Sequence, residues 1–366
     1  MKEAFKVALN SRYVTDPPTG GSLGKLWIKP LFVEQWRKLQ SSDQASPVSV
    51  SIIIINGHSA TQVRRCVGSL WQYCRRAQPE VIVVDDGSFD GCEEMLRREF
   101  PSVIFVQSQT NIGRAAANNL GAQRASGTHL LFLHYDTEFI EDSVTVLTNA
   151  LDALGNAGAV GCQLINPDRT IQTNCVRSFP TLTNQLFDSE YLRERFPELG
   201  LWGQQVLHAK WPRQAEVDVV TDTCLMVRRG AFDQLGGFNE SFAAYGADTD
   251  LCFRLKDSGA PVYYVPSTSV VHRGDGDFSH AIDAVSNVTV RESIFRFMTM
   301  NYANGYGYAY RASMAVNAIA RLLLIPPMMP LGNVLVRHGR GSWKKWTKIL
   351  HWSVRGCRRP QRISLE

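Results

Sequence analysis

The sequence predicts an α/β fold built on a mainly parallel sheet, and three observations carry that prediction. Short β-branched runs recur from Val50 onward. Segments of helical spacing separate them. A polar cluster follows each of three of these runs, at residues 56–59, 85–90 and 134–138. Strands alternating with helices close by right-handed crossovers into a parallel sheet, and ligands of such sheets bind beyond the carboxyl ends of the strands.

The elements follow in order. Residues 50–55 (VSIIII) are apolar without alternation, as suits a strand buried on both faces. Residues 60–76 have helical spacing, and 81–84 (VIVV) form a second buried strand. Residues 90–99 read as helix, 103–106 as strand, 114–125 as helix, 129–133 as strand and 141–154 as helix. Residues 160–220 are less regular. Beyond them, 217–228 read as one strand, 229–235 and 249–258 as helices, 262–265 and 269–272 as strands, and 283–300 as helix.

Composition narrows the function. The net charge of +5 is concentrated at the end: residues 337–366 hold nine Lys/Arg against one acid, so the rest of the chain is slightly acidic. That argues against a basic nucleic-acid groove and for an appended contact with an anionic surface. The eight cysteines contain no CxxC pair, which argues against a zinc site or a disulfide scaffold and for a reducing, cytoplasmic setting. The apolar stretch 314–336 is broken by Arg321, Pro326, Pro327 and Pro330, so it makes a poor membrane span. The basic stretch that follows carries Trp343, Trp346 and Trp352, a combination that resembles an interfacial anchor.

Five segments carry candidate chemistry. The strand at 81–84 ends in Asp85 and Asp86, whose carboxylates suit either a nucleoside or the capping of a turn. Residues 111–121 (NIGRAAANNLG) place small side chains on one helix face, for close approach to the sheet or a ligand, and Arg114 suits a phosphate. The strand before Asp136 delivers a carboxylate suited to a hard divalent cation. Asp248 and Asp250 sit at a helix start, as caps or with one as a general base. His272 ends a strand.

Taken together, VVDDGSFDG (83–91), NIGRAAANNLG (111–121), LLFLHYDT (130–137), CLMVRRGAFDQLGGFNESF (224–242), YGADTDLCFRL (245–255) and VVHRG (270–274) closely resemble the family-2 glycosyltransferases of the GT-A fold, in particular their rhamnosyltransferase-like group. The resemblance covers residues 48–300. It implies an inverting enzyme that moves a sugar from a nucleoside-diphosphate donor, a dTDP- or UDP-sugar, to a glycan or lipid-linked glycan acceptor, with Mn²⁺ or Mg²⁺ as cofactor. The same resemblance implies Asp248 as catalytic base. Asn56, Asp85, Asp86, Asn111, Gly113, Arg114 and Asp136 are expected around the nucleotide sugar, and Asp136 and His272 around the metal. A catalytically decayed scaffold is the alternative.

The chain departs from the family pattern at four places. Asn56-Gly57-His58 replaces Thr-Tyr-Asn, His134 and Tyr135 precede Asp136 in place of Asn-Pro, Ala247 replaces the Glu before the base, and Asp222 stands where a Gly is common. His134 could give the metal a nitrogen ligand, which favours Mn²⁺. The expected organisation is an extension at 1–47, a GT-A domain at 48–290 with a nucleotide-sugar half (48–160) and an acceptor half (161–290), and a helical, basic tail at 291–366 placed peripherally at the inner membrane face.

Overall fold

The computed structural model describes residues 50–355 apart from 75, 173–174, 187–213, 243–244, 275 and 329–332, and the backbone but not the side chains at 276–287 and 324–342. The expected extension at 1–47 lies outside the described residues, as do Trp202, Trp211 and Cys357.

Strands β1 (Val50–Asn56), β2 (Glu80–Asp85), β3 (Ile104–Gln107) and β4 (His129–His134) form the first half of one mixed sheet. Helices α1 (Ala60–Tyr73), α2 (Cys92–Glu99) and α3 (Arg114–Arg124) connect them. The order β3-β2-β1-β4 is parallel throughout. It reverses direction between β1 and β4, the switch point where such sheets open a crevice. Ile52, Ile53, Ile54, Val83 and Val84 are buried on both faces, as their unbroken apolar run requires. The small face of α3 serves the sheet. A Cβ added at Gly121 would lie 2.5 Å from Ile53 Cγ2.

The second half adds β5 (Thr137–Phe139), helix α4 (Ser143–Ala153), β6 (Ala159–Ile165), β7 (Val176–Arg177) and the short α5 (Leu182–Leu186). It continues with β8 (Ala215–Val217), β9 (Val219–Val220), β10 (Cys224–Arg228), α6 (Arg229–Gln234), α7 (Ala247–Asp257) and β11 (Val262–His272). The sheet continues β4-β10-β6-β11-β5, with β10 antiparallel to both neighbours, β6 parallel to β11, and β8 on the flank of β11. Two expectations are corrected here. The strand read across 217–228 is three strands, because Thr221-Asp222-Thr223 turns the chain out of the β7–β9 ribbon and into β10. The two strands read at 262–265 and 269–272 are one, with a register shift between Val265 and Ser269.

This topology brings distant residues to one rim. Antiparallel β10 sets Thr223 beside His134, whose N–H donates to the Thr223 carbonyl at 3.1 Å. Pairing of β5 with β11 sets His272 opposite Thr137, beside Asp136.

Helices α8 (Gly276–Asn301), α9 (Tyr306–Met328) and α10 (Asn333–Arg355) complete the described residues. Ile294, Phe297 and Met298 join the main core, and Phe297 meets Phe253 of α7 edge-on at 5.5 Å. Two of the three tail tryptophans are not free to act as interfacial anchors. Trp346 is buried, with the Arg321 guanidinium 4.5 Å from its ring centre, and buried Trp352 donates to Glu292 at 2.7 Å. Packing of α10 against α8 and α9 offers these rings apolar neighbours and a hydrogen-bond acceptor, which a solvated basic tail lacks. Trp343 remains exposed.

Candidate active site

Two polar clusters stand at the carboxyl ends of the strands. The first lies at β1 and β2 and is internally satisfied. The Asp85 carboxylate accepts from Asn56 Nδ2 (2.8 Å), Gln107 Nε2 (2.7 Å), the N–H groups of Ser88 (3.2 Å) and Phe89 (3.0 Å), and the Ser88 hydroxyl. Burial alone would raise its pKa, but these donors outweigh burial and hold it below the usual carboxylate range. Asn56 also donates to Asp90, which in turn accepts the N–H of Ala60 at the start of α1. Asp86 accepts one N–H on each oxygen, from Ile112 at 2.6 Å and Gly113 at 3.1 Å. Burial is the larger effect there and raises its pKa. Asp86 thus ties down the Asn111–Gly113 loop, and Gly87 lets that loop close in, since a Cβ there would lie 2.6 Å from the Thr110 carbonyl carbon. Asn111 is exposed on this loop.

The second cluster joins β4, β5, β10 and β11. Asp136 is buried between two imidazoles. His272 Nε2 lies 3.3 Å from its Oδ2, and His134 Nδ1 lies 3.6 Å from its Oδ1. Burial would raise the Asp136 pKa, but the two histidines hold it far below the ordinary value. Asp136 Oδ1 has no hydrogen-bond partner among the described residues. His134, Asp136 and His272 each present a ligand atom within 4.8 Å of the others. On its far side His134 Nε2 meets Arg114 Nη1 and lies 3.6 Å from Asp222 Oδ1. Arg114 is also 3.7 Å from Asp222. Arg114 therefore sits within a charge cluster at the start of α3.

The cluster continues to the expected base. Asp222 lies within electrostatic reach of Arg177, and Arg177 pairs directly with Asp248 and donates to Tyr245 Oη at 2.7 Å. The Asp248 charge is the main influence that raises the Arg177 pKa against the opposing effect of burial. Asp248 also accepts from its neighbour's N–H, Thr249, at 2.7 Å. The helix α7 is capped by Gly246 in the left-handed region, with no side-chain cap, so Asp248 is not the N-cap residue but stands in the first turn, where its charge also suits the helix dipole. Asp250 takes the structural role instead, pairing with Arg254 at 2.7 Å and Asn301 at 3.2 Å.

The structure thus gathers Asp136, His272, His134, Arg114, Asp222 and Asp248 into one network, and keeps Asn56, Asp85 and Asp86 in another. Sequence reading missed Arg177. It is a lone arginine on a two-residue strand, and only the β7–β9 pairing and the Phe179–Phe253 contact (5.2 Å) set it against α7. It also missed Gln172, whose Oε1 lies 2.9 Å from His272 Nδ1.

The family model described as glycosyl transferase family 2 matches residues 49–236, just over half the chain. This chain belongs to glycosyl transferase family 2. The O-antigen biosynthesis protein RfbC of Myxococcus xanthus is 30% identical over 226 residues, which is 61% of this chain and 17% of that protein. An N-acetylglucosaminyl-diphospho-decaprenol L-rhamnosyltransferase of Mycobacterium tuberculosis is 28% identical over 205 residues, 52% of this chain and 66% of the relative. The chain therefore spans about a sixth of the first relative and just under two thirds of the second. Among solved structures, GalNAc-T7 with UDP, GalNAc and Mn²⁺ superposes with a TM-score of 0.53 at 14% identity, covering 85% of this chain and 58% of that one. The mannosyltransferase PcManGT of Pyrobaculum calidifontis, in complex with GDP-Man and Mn²⁺, gives 0.52 at 15%, covering 88% and 94%. The fold is of the GT-A type.

Proposed function

We propose that this family-2 member is an inverting glycosyltransferase that moves a sugar from a nucleoside-diphosphate donor to the hydroxyl of a glycan or lipid-linked glycan. The observation that supports this most is the chain of close charged groups from His272 through Asp136 and His134 to Asp222, with the Arg177–Asp248 pair within electrostatic reach of it, at the rim where such sheets bind ligands. In this reading Asn111, Gly113 and Asp86 flank the nucleotide. Asp85 and Asn56 shape that loop from beneath, because their polar atoms are already engaged.

The donor set fits a divalent cation. A buried carboxylate with an unpartnered oxygen faces an imidazole nitrogen, and the two offer one hard and one intermediate ligand. Asp136 and His272 would hold it, and a cation there supplies charge to screen the leaving diphosphate. His134 has its Nε2 turned to Arg114, which can only donate, so Nε2 accepts there and the ring presents Nδ1–H towards Asp136. The mixed donor set favours Mn²⁺ over Mg²⁺.

Transfer requires the acceptor hydroxyl to lose its proton as its oxygen attacks the anomeric carbon from the face opposite the diphosphate. Asp248 takes that proton. The anomeric C–O bond breaks, and its electron pair leaves with the diphosphate. Arg177 holds Asp248 ionised and oriented until then, and it can turn to the negative charge that develops as Asp248 is neutralised.

Calorimetric titration with UDP, dTDP and GDP, each with Mn²⁺ and with EDTA, tests the donor reading. One nucleotide should bind, and only with metal. No binding to any of them would move the protein to a scaffold role.

No helix among the described residues is long and apolar enough to cross a membrane. A peripheral contact is supported by Val316, Ile319 and Leu323, exposed along one face of α9, together with exposed Lys344 on α10.

A further inference from the structure

Gln172 has a hydrogen-bond geometry that admits one arrangement. Its side-chain nitrogen lies 2.8 Å from the His272 carbonyl oxygen and 2.7 Å from Asn166 Oδ1. A backbone carbonyl only accepts, so the amide nitrogen must face it, and Oε1 must face His272 Nδ1 at 2.9 Å. An amide oxygen there needs a donor, so Nδ1 carries the proton. A neutral His272 then has its lone pair on Nε2, 3.3 Å from the carboxylate of Asp136. Two lone pairs do not face each other in a buried site unless a cation or proton lies between them.

The segment that carries Gln172 is held for this purpose. Residues 166–170 form a tight turn closed by Asn166 N–H to Thr170 O at 2.8 Å, with Arg169 at φ 70° and Asp168 accepting from Thr170. Ile171 bridges back to Ile165, and Gln172 N–H donates to Leu164 O at 2.9 Å. Leu164 and Ile165 lie on β6, in register with Val270 and Val271 of β11. The turn and His272 are thus fixed to the same pair of strands.

We infer that Gln172 is a positioning residue of the metal centre: by accepting from Nδ1–H it commits His272 to the tautomer whose Nε2 binds the cation opposite Asp136. The inference rests on the proposed metal role of Asp136 and His272. Partners of this kind set ligand orientation and basicity, and their loss typically costs about 10–100-fold in metal affinity.

The test is Mn²⁺ binding to the full chain, read from the free-ion EPR signal at constant pH, for wild type, His272→Ala and Gln172→Leu. Circular dichroism and melting confirm that each variant is folded. His272→Ala should abolish tight binding. Gln172→Leu should weaken it about 10–100-fold. Long-range ¹⁵N NMR of labelled histidine should show one Nδ1-protonated ring in wild type lost in Gln172→Leu. If His272→Ala binds like wild type, the metal reading itself fails. If His272→Ala loses binding while Gln172→Leu retains it, or if the Nδ1-protonated ring persists in Gln172→Leu, the role of Gln172 is overturned and the metal reading stands.

Discussion

The two polar clusters at the sheet rim differ in what their buried groups have left over. At β1 and β2, the Asp85 carboxylate accepts five hydrogen bonds and the Asn56 amide nitrogen is shared among Asp85, Ser88 and Asp90. At β4, β10 and β11, Asp136 Oδ1 and Arg177 Nε are buried without a partner among the described residues. An unmet buried polar group costs about 1–3 kcal/mol. A fold tolerates that where a ligand completes the set. On the proposed reading, carboxylates of the same residue type, at or just beyond strand ends, serve architecture in one cluster and chemistry in the other.

Substitutions can break this contrast. The largest effect is expected at Asp248. Asp248→Asn should lower turnover by about 10²–10⁴-fold, as loss of a general base does, with nucleotide affinity retained. Near-normal turnover in a single-turnover assay would remove Asp248 from the mechanism. Asp136→Asn should abolish Mn²⁺-dependent nucleotide binding in calorimetry while circular dichroism shows the chain folded. Metal-dependent binding equal to wild type would place Asp136 with the architectural carboxylates.

Asp85→Ala should do the reverse, costing roughly 2–4 kcal/mol in urea unfolding by orphaning its buried donors. The pH dependence follows the same logic. The Asp85 pKa is lowered in the folded protein, so its contribution is complete above the unfolded value of about 4 and is lost as pH falls through the folded value. Acid unfolding should accordingly be shallower in Asp85→Ala than in wild type. Unchanged acid titration would show that the hydrogen bonds to Asp85 do not favour its ionised form. A smaller stability loss, about 1–3 kcal/mol, is expected for Gly121→Ala, whose Cβ would overlap Ile53. The smallest effect is expected for Arg177→Lys. It keeps the charge but loses the planar fork, and turnover should fall about tenfold. A fall as large as that of Asp248→Asn would make Arg177 part of the reacting group.

Much of this was legible in the chain. The unbroken apolar runs at 50–55 and 81–84 declare strands buried on both faces, and the polar residues that follow them declare the rim. Asp136 and His272 could be named as candidates because each stands at the end of a strand run, and Asp248 because it opens a helix, although the same residue types at such places also serve as caps and turn partners. The division of labour between Asp85 and Asp136 was not legible, since each is an aspartate at or just beyond the end of a buried strand. The tail tryptophans looked alike in sequence, yet Trp346 and Trp352 are buried while Trp343 is exposed.

The sequence by itself determined the α/β class, the order of the first four strands and the residue types at the rim. Local pattern encodes these, through the two-sided burial of parallel strands and the turn chemistry between them. Only the tertiary structure decided that His272 meets Asp136, that Gln172 meets His272, that Asp222 meets His134, and that Arg177 holds Asp248. Those contacts join residues roughly 70 to 140 positions apart through β5–β11, β4–β10 and β7–β9 pairing. Strand pairing at that separation is set by the packing of the whole sheet, and no local period of the chain records it.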